Sequence, residues 1–183
     1  MSARRGVVPA VLALALACAG TPPGPPLETA ERVDLERYLG LWYEIASFPT
    51  RFQEGCEATT ARYSRREDGR IRVLNACTRD GERDLAEAVA WVPDPREPAK
   101  LEVRFFWPFT GDYWILAVGP EDASDYAWAL VGHPSRNYLW VLSREPVLDE
   151  ARYDEIVGIA RARGFDVSRL ERTARPSAGA ATP

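Results

Sequence analysis

Residues 83–119 read RDLAEAVAWVPDPREPAKLEVRFFWPFTGDYWILAVG. Three apolar runs lie in this stretch, at 83–92, 99–107 and 112–119, and their side chains follow a spacing of two. That is the period of a β-strand, whose successive side chains point to opposite faces. Pro93-Asp94-Pro95 and Thr110-Gly111 separate the runs, and these residue types preset turn dihedrals. Working outward, the same rhythm gives runs at 41–48, 57–66, 70–78, 126–133 and 138–144. Glu67-Asp68-Gly69, Asp80-Gly81 and Pro134-Ser135-Arg136-Asn137 punctuate them. Such short connectors force antiparallel neighbours, so the expected fold is all-β: an eight-stranded antiparallel up-and-down meander. Eight strands can close into a β-barrel, which removes both exposed edges. After Arg144 the period changes. Asp149 is placed to cap a helix, Tyr153, Ile156, Val157 and Ala160 recur at helical spacing, and Gly164 suits the left-handed stop. One C-terminal α-helix of about 14 residues, packed outside the barrel, is expected. The FDVSRLER stretch at 165–172 is able to add a short strand to the wall.

Composition narrows the function classes. The chain has 183 residues, 46% hydrophobic and 27% charged, enough for one packed domain. A net charge of −4 argues against a nucleic-acid partner, because phosphate binding needs a basic surface. A single His removes the basis for His-rich metal sites and His relays. His133 has Ser135 two residues on, but no third orienting group and no GxSxG accompany them. Gly-rich phosphate loops are missing as well. The sequence therefore assigns no catalytic residue, metal or cofactor. Six Trp, seven Tyr and six Phe point instead to a large apolar interior or cavity.

The chain ends read as processing segments. Arg4 and Arg5 precede an apolar stretch at 6–17 that is too short to span a bilayer and suits a signal peptide, 1–17. It leads into Ala15-Leu16-Ala17-Cys18, which resembles the lipobox of bacterial lipoproteins, although Ala15 stands where Leu is usual. The resemblance implies lipid on Cys18, with 19–26 (AGTPPGPP) completing a Pro-rich tether over 18–26. Neither Ala19 nor Gly20 is the Asp associated with inner-membrane retention, so the expected location is an outer-membrane lipoprotein facing the periplasm. The domain then covers 27–175, and the 176–183 tail is expected to be disordered. Cys56 and Cys77 remain as an even pair in an oxidising compartment. In the meander both fall near the top of the hairpin of strands two and three, so a disulfide is expected there. Closing a loop of this length stabilises by about 3 kcal/mol.

Three short motifs add a family. Gly40-Leu41-Trp42-Tyr43-Glu44-Ile45-Ala46 opens the first strand, after a short helical turn at Leu35-Glu36-Arg37-Tyr38-Leu39. Gly111-Asp112-Tyr113 precedes strand six, and Leu142-Ser143-Arg144 ends strand eight. In this order they resemble the signatures of the lipocalin family, over about residues 34–170, and particularly its bacterial outer-membrane and apolipoprotein D branch. The resemblance implies that Gly40, Trp42 and Arg144 form a structural signature. Trp42 would plug the closed end of the barrel, and Arg144 would lie across its indole, a stack worth about 0.5–2 kcal/mol. It also implies a cup that takes a small hydrophobic ligand. The chain departs from apolipoprotein D in one respect: there the Cys matching Cys56 pairs with a C-terminal Cys, and none exists here.

Charged positions mark the outer face of each strand and so select the inner one. Glu102 and Arg104 outside place Leu101, Val103 and Phe105 inside. Arg70 and Arg72 outside place Ile71, Val73 and Asn75 inside; Arg62 outside places Tyr63 inside. Trp140 and Leu142 share the parity of Arg144. Strand six is open, because Tyr113/Ile115/Ala117 and Trp114/Leu116/Val118 are equally apolar, and the family resemblance selects Trp114. The candidate ligand-binding residues are Tyr63, Val73, Asn75, Val103, Phe105, Trp114 and Trp140, with Asn75 and the Tyr63 hydroxyl as polar handles. Glu44 and Glu87 could form a carboxylate pair, but exposed ion pairs with Arg are the expectation. Phe48, Phe52 and Phe109 are candidate rim aromatics, able to meet membrane or a second copy in a homodimer. The functional expectation is reversible binding, storage or transport of a fatty acid or lysophospholipid, without catalysis. The alternatives are an envelope interaction module with a side-chain-filled barrel, or a lipocalin-fold enzyme acting on a lipidic substrate.

Overall fold

The computed structural model describes residues 25–120 and 124–175. The expected signal segment, Cys18, most of the tether and the 176–183 tail lie outside the described residues. A helical turn, α1 (Leu35–Tyr38), leads into β1 (Gly40–Ser47). Then follow β2 (Glu57–Arg65), β3 (Ile71–Arg79), β4 (Glu82–Trp91) and β5 (Lys100–Phe106). The wall continues through β6 (Phe109–Gly119), β7 (Trp128–Gly132) and β8 (Leu139–Ser143). The helix α2 (Glu150–Ala162) and a two-residue strand β9 (Glu171–Arg172) complete the chain.

Every neighbouring pair from β1 to β8 is antiparallel, and β8 returns to β1, so the sheet closes. The fold is the expected eight-stranded up-and-down barrel with one additional short strand. That strand has a cause in the register. β1 pairs with β2 only in its lower half, Gly40↔Tyr63 to Tyr43↔Thr60. Above this the two strands part, and β9 fills the seam through Ala46↔Arg172 and Ser47↔Glu171. The Ala58 amide donates to the Ala174 carbonyl at 2.8 Å on the other side of the seam.

The wall from β6 to β1 carries apolar side chains on both faces. Inside it lie Trp42, Ile71, Leu101, Ile115, Val131 and Leu142. Outside it, Ile156 and Ala160 of α2 pack on Ile45, Leu116, Leu130 and Val141. This double burial explains why all five residues of β7 are buried. The ends of α2 follow its sequence signals. Asp149 accepts from the Arg152 amide at 2.9 Å. Gly164 sits at φ +80°, which lets the Phe165 amide reach the Ala160 carbonyl (3.1 Å) and the Gly164 amide reach that of Arg161 (3.0 Å). That turn drops Phe165 back onto the outer apolar layer.

Candidate ligand-binding site

The closed end is built first, by α1 and the start of β1. Trp42 is fully buried, its indole N–H donating to the Tyr38 carbonyl at 2.8 Å. Arg144 lies with its guanidinium carbon 3.8 Å from the ring centroid of Trp42. Its nitrogens donate to the carbonyls of Leu41 (2.7 Å), Leu39 (2.7 Å), Arg37 (2.9 Å) and Tyr126 (3.1 Å). Burial lowers the Arg144 pKa, but an arginine starts high enough to remain charged. Gly40 is required beside it: φ is +100°, and a Cβ would stand 3.1 Å from Arg144 Nη1.

Above this floor the Tyr113 hydroxyl lies 2.7 Å from that of Tyr38 and 2.8 Å from that of Tyr63. Burial pushes all three phenols up, Tyr63 to about 12, so the cluster is neutral at ordinary pH. The Tyr63 hydroxyl is therefore engaged in a floor network and is not the free handle anticipated for it.

The register sorts the remaining candidates. Tyr63 faces Val73, and Val73 faces Ala88; Ala61 faces Asn75, and Asn75 faces Ala86. Val103 pairs with Ala90 and packs on the interior cluster, as does Trp140. Tyr63 and Val73 are buried, whereas Asn75, Val103 and Trp140 are half-buried. Two placements differ from expectation. Trp114 pairs with Lys100 on the outer wall, its ring 4.9 Å from the Lys100 amine and packed on the helix-side layer. Tyr113, opposite Leu101, takes the inner position. Phe105 lies within the bulge between Val103 and Phe106 in the β5–β6 ladder and is 42% exposed, so it belongs to the open end.

The mouth is formed by the β1–β2 loop, the turns β3–β4, β5–β6 and β7–β8, and the C-terminal strand. Cys56 and Cys77 are disulfide-bonded here, with Cα atoms 5.4 Å apart. Phe52 and Tyr138 stack across the rim at 6.3 Å, and Tyr138 stacks on Trp140 at 6.1 Å. Phe48 is not on the rim; it is buried against Phe165 under Arg169. Glu87 forms the expected outer ion pair with Arg72, at 2.6 Å. Glu44 does not. It lies opposite the inward Leu142, and its carboxylate accepts from Gln53 (2.6 Å), Thr173 (2.8 Å) and Ser47 (3.0 Å). Gln53 Oε1 in turn accepts from the Trp140 indole at 3.4 Å. A hollow of about 600 Å³ opens between the β1–β2 loop and the C-terminal strand, bordered by Glu44, Gln53 and Glu57 and by the cations of Arg51 and Arg172. Sequence parity missed Glu44 because it treated every charge as a mark of the outer face.

A closed meander floored by an arginine-covered tryptophan, with an open mouth opposite, defines a lipocalin-like barrel. Residues 33–175 match the family of lipocalin-like domains, and the chain belongs to that family. It is 43% identical over 157 residues to temperature-induced lipocalin-1 of Arabidopsis thaliana, covering 80% of this chain and 82% of that one. It is 39% identical over 159 residues to the outer membrane lipoprotein Blc of Escherichia coli (strain K12), covering 86% and 88%. Among solved structures, insecticyanin of Manduca sexta superposes with a TM-score of 0.67 at 20% identity, over 85% of this chain and 88% of that one.

Proposed function

We propose that the protein binds one single-chain lipid, a lysophospholipid or a fatty acid, in the cup and carries it without chemical change. One observation supports this reading above the others: apart from the disulfide-bonded Cys77, exposure rises along the inner face from floor to mouth. Trp42 and Ile71 are sealed, Tyr63 and Ala88 are buried, Asn75 and Val103 are half-buried, and the inward-facing Ala86 is exposed. Small side chains at Ala61, Ala86 and Ala88 take little room on this inner face. Burial of a C16 chain supplies about 0.8 kcal/mol per CH₂, roughly 12–13 kcal/mol gross. Association and ordering cost about 4–15 kcal/mol, which leaves micromolar affinity as the expectation.

Glu44 favours a head group. The Glu44 carboxylate suits the ammonium end of a zwitterionic lysophospholipid, and Arg51 and Arg172 on the same hollow suit its phosphate. Neutral phenols and the Asn75 amide border the cup, and acids and arginines border the hollow beside Glu44; these groups serve recognition. The outer membrane, reached through lipid on Cys18, is the location this reading takes, supported by the relative named as an outer membrane lipoprotein.

Titration with lysophosphatidylethanolamine below its micelle threshold, followed by tryptophan emission, tests the proposal. A saturable change at micromolar lipid is expected. It should vanish in Trp140→Phe, which borders the cup, and persist in Trp114→Phe, on the outer wall. No saturable change in the unsubstituted protein would support a barrel filled by its own side chains.

A further inference from the structure

One stretch of the barrel wall is closed by a segment that the core does not hold. The β1–β2 ladder runs only from Gly40↔Tyr63 to Tyr43↔Thr60. Above it, residues 171–174 stand between the two strands. The Thr173 amide donates to the Ile45 carbonyl at 3.0 Å on one side, and the Ala174 carbonyl accepts from the Ala58 amide at 2.8 Å on the other. Ala58 sits at φ +50°, within the bulge between Glu57 and Thr60. A left-handed alanine is uncommon, and here it belongs to the kink that takes β2 away from β1. One inserted strand sets β1 and β2 two ladder spacings apart, about 9–10 Å, and the stretch from Tyr43 to Ser47 is about 13 Å tall. Without the inserted segment this is a slot wide enough for an acyl chain.

Two closures lie beside the cup, and they are held differently. The 48–56 loop narrows the mouth and is pinned by the Cys56–Cys77 bond and by Arg79 on the Phe52 carbonyl. The 171–175 strap has no such fixture. Leu170 is the last residue to pack on the outer apolar layer. Beyond it Glu171, Arg172 and Ala174 are exposed and Thr173 is half-buried. Arg172 pairs with Glu150, itself 77% exposed, and lies 3.3 Å from the Tyr153 ring centroid. The Thr173 hydroxyl donates to Glu44 at 2.8 Å. Exposed ion pairs contribute little, and a segment with few buried apolar contacts opens locally well below the global unfolding free energy. Leu170 is therefore the hinge, and the strap is the part that lifts. Behind it lies the hollow beside Glu44, which both the strap and the loop border. Gln53 joins that hollow to the cup, because its Oε1 accepts from the Trp140 indole at 3.4 Å and Trp140 packs on the interior cluster.

We propose that the upper β1–β2 seam is a side portal of the cup, with residues 171–175 as its gate. Arg172 and Thr173 belong to both the strap and the hollow, so a zwitterionic head group seated there holds the gate shut behind the acyl chain. Lipid exchange is then limited by the strap and not by the mouth. The portal rests on the cup reading; independent opening of the strap does not.

Hydrogen exchange of the full chain without lipid reads the strap. The Thr173 and Ala58 amides should exchange at least a hundredfold faster than the amides of β7 and β8. Protection equal to that of β8 overturns the proposal. Stopped-flow tryptophan emission with lysophosphatidylethanolamine reads the portal. A chain ending at Leu170 keeps every core residue and should take up and release the lipid at least tenfold faster. Faster release with unchanged uptake would make the strap a head-group contact and overturns the gate. Should the shortened chain fold poorly, Glu150→Gln/Tyr153→Leu loosens the strap while leaving every residue of the hollow in place. Both rates should then rise at least threefold with Kd within twofold of the parent. Parent rates in that folded variant overturn the proposal. No saturable signal from the parent removes the cup reading and the portal together, whereas lipid binding at equal rates removes the portal alone.

Discussion

Arg144 holds more of the barrel than any other single polar side chain at the floor. Four carbonyls accept from it, and Trp42 lies beneath it. Arg144→Met leaves those acceptors without a donor and should cost about 3 kcal/mol in urea unfolding. A loss under about 1 kcal/mol would show that water replaces the guanidinium there. The phenol cluster gives a pH signature with a definite sign. Tyr38, Tyr63 and Tyr113 have folded pKa values raised above the unfolded value near 10. The unfolded chain therefore releases protons first, and this contribution, whole below pH 10, is lost as pH climbs toward the folded values. Absorbance at 295 nm should show three of the seven tyrosines ionising only with unfolding; smooth ionisation of all seven in folded protein would contradict the cluster. Glu44→Gln should raise palmitate affinity relative to lysophosphatidylethanolamine by about tenfold, since it removes one half-hydrated charge. An unchanged ratio would place both head groups away from Glu44. At this scale the sequence was readable where a motif fixed the geometry, as at Trp42 and Arg144. It misled where parity was inferred from charge, because the inner face near the mouth is polar enough to hold Glu44 through Ser47, Gln53 and Thr173.

Among the elements, the turns and the helix ends were the most legible, since Asp149 and Gly164 act through local backbone chemistry alone. β6 was not. Its outer face lies under α2 and is as apolar as its inner face, so Trp114 and Tyr113 could not be told apart by composition. β9 was only weakly signalled, because its place depends on β1 and β2 parting above Tyr43. The mouth loop is held by the Cys56–Cys77 bridge, and by Arg79 donating to the Phe52 carbonyl at 3.0 Å. With the two cysteines 21 positions apart in sequence, Cys56→Ser/Cys77→Ser should destabilise by about 3 kcal/mol, read as a lowered urea midpoint. Hydrogen exchange should rise in the 48–56 loop more than in β7 and β8. Uniform exchange across the barrel would mean that the bridge does not govern the loop.

Across the whole molecule, one wall separates two apolar layers. The helix seals the outer layer, and the floor seals the lower half of the inner one. The upper half of the inner layer has neither seal, and this asymmetry is the basis of the proposed cup. Native mass spectrometry of protein purified without detergent, before and after incubation with lysophosphatidylethanolamine, tests this most directly. The account predicts one lipid per chain, retained through buffer exchange and exchangeable for a second single-chain lipid. Only unliganded protein in both samples, with the fold intact by circular dichroism, would contradict it.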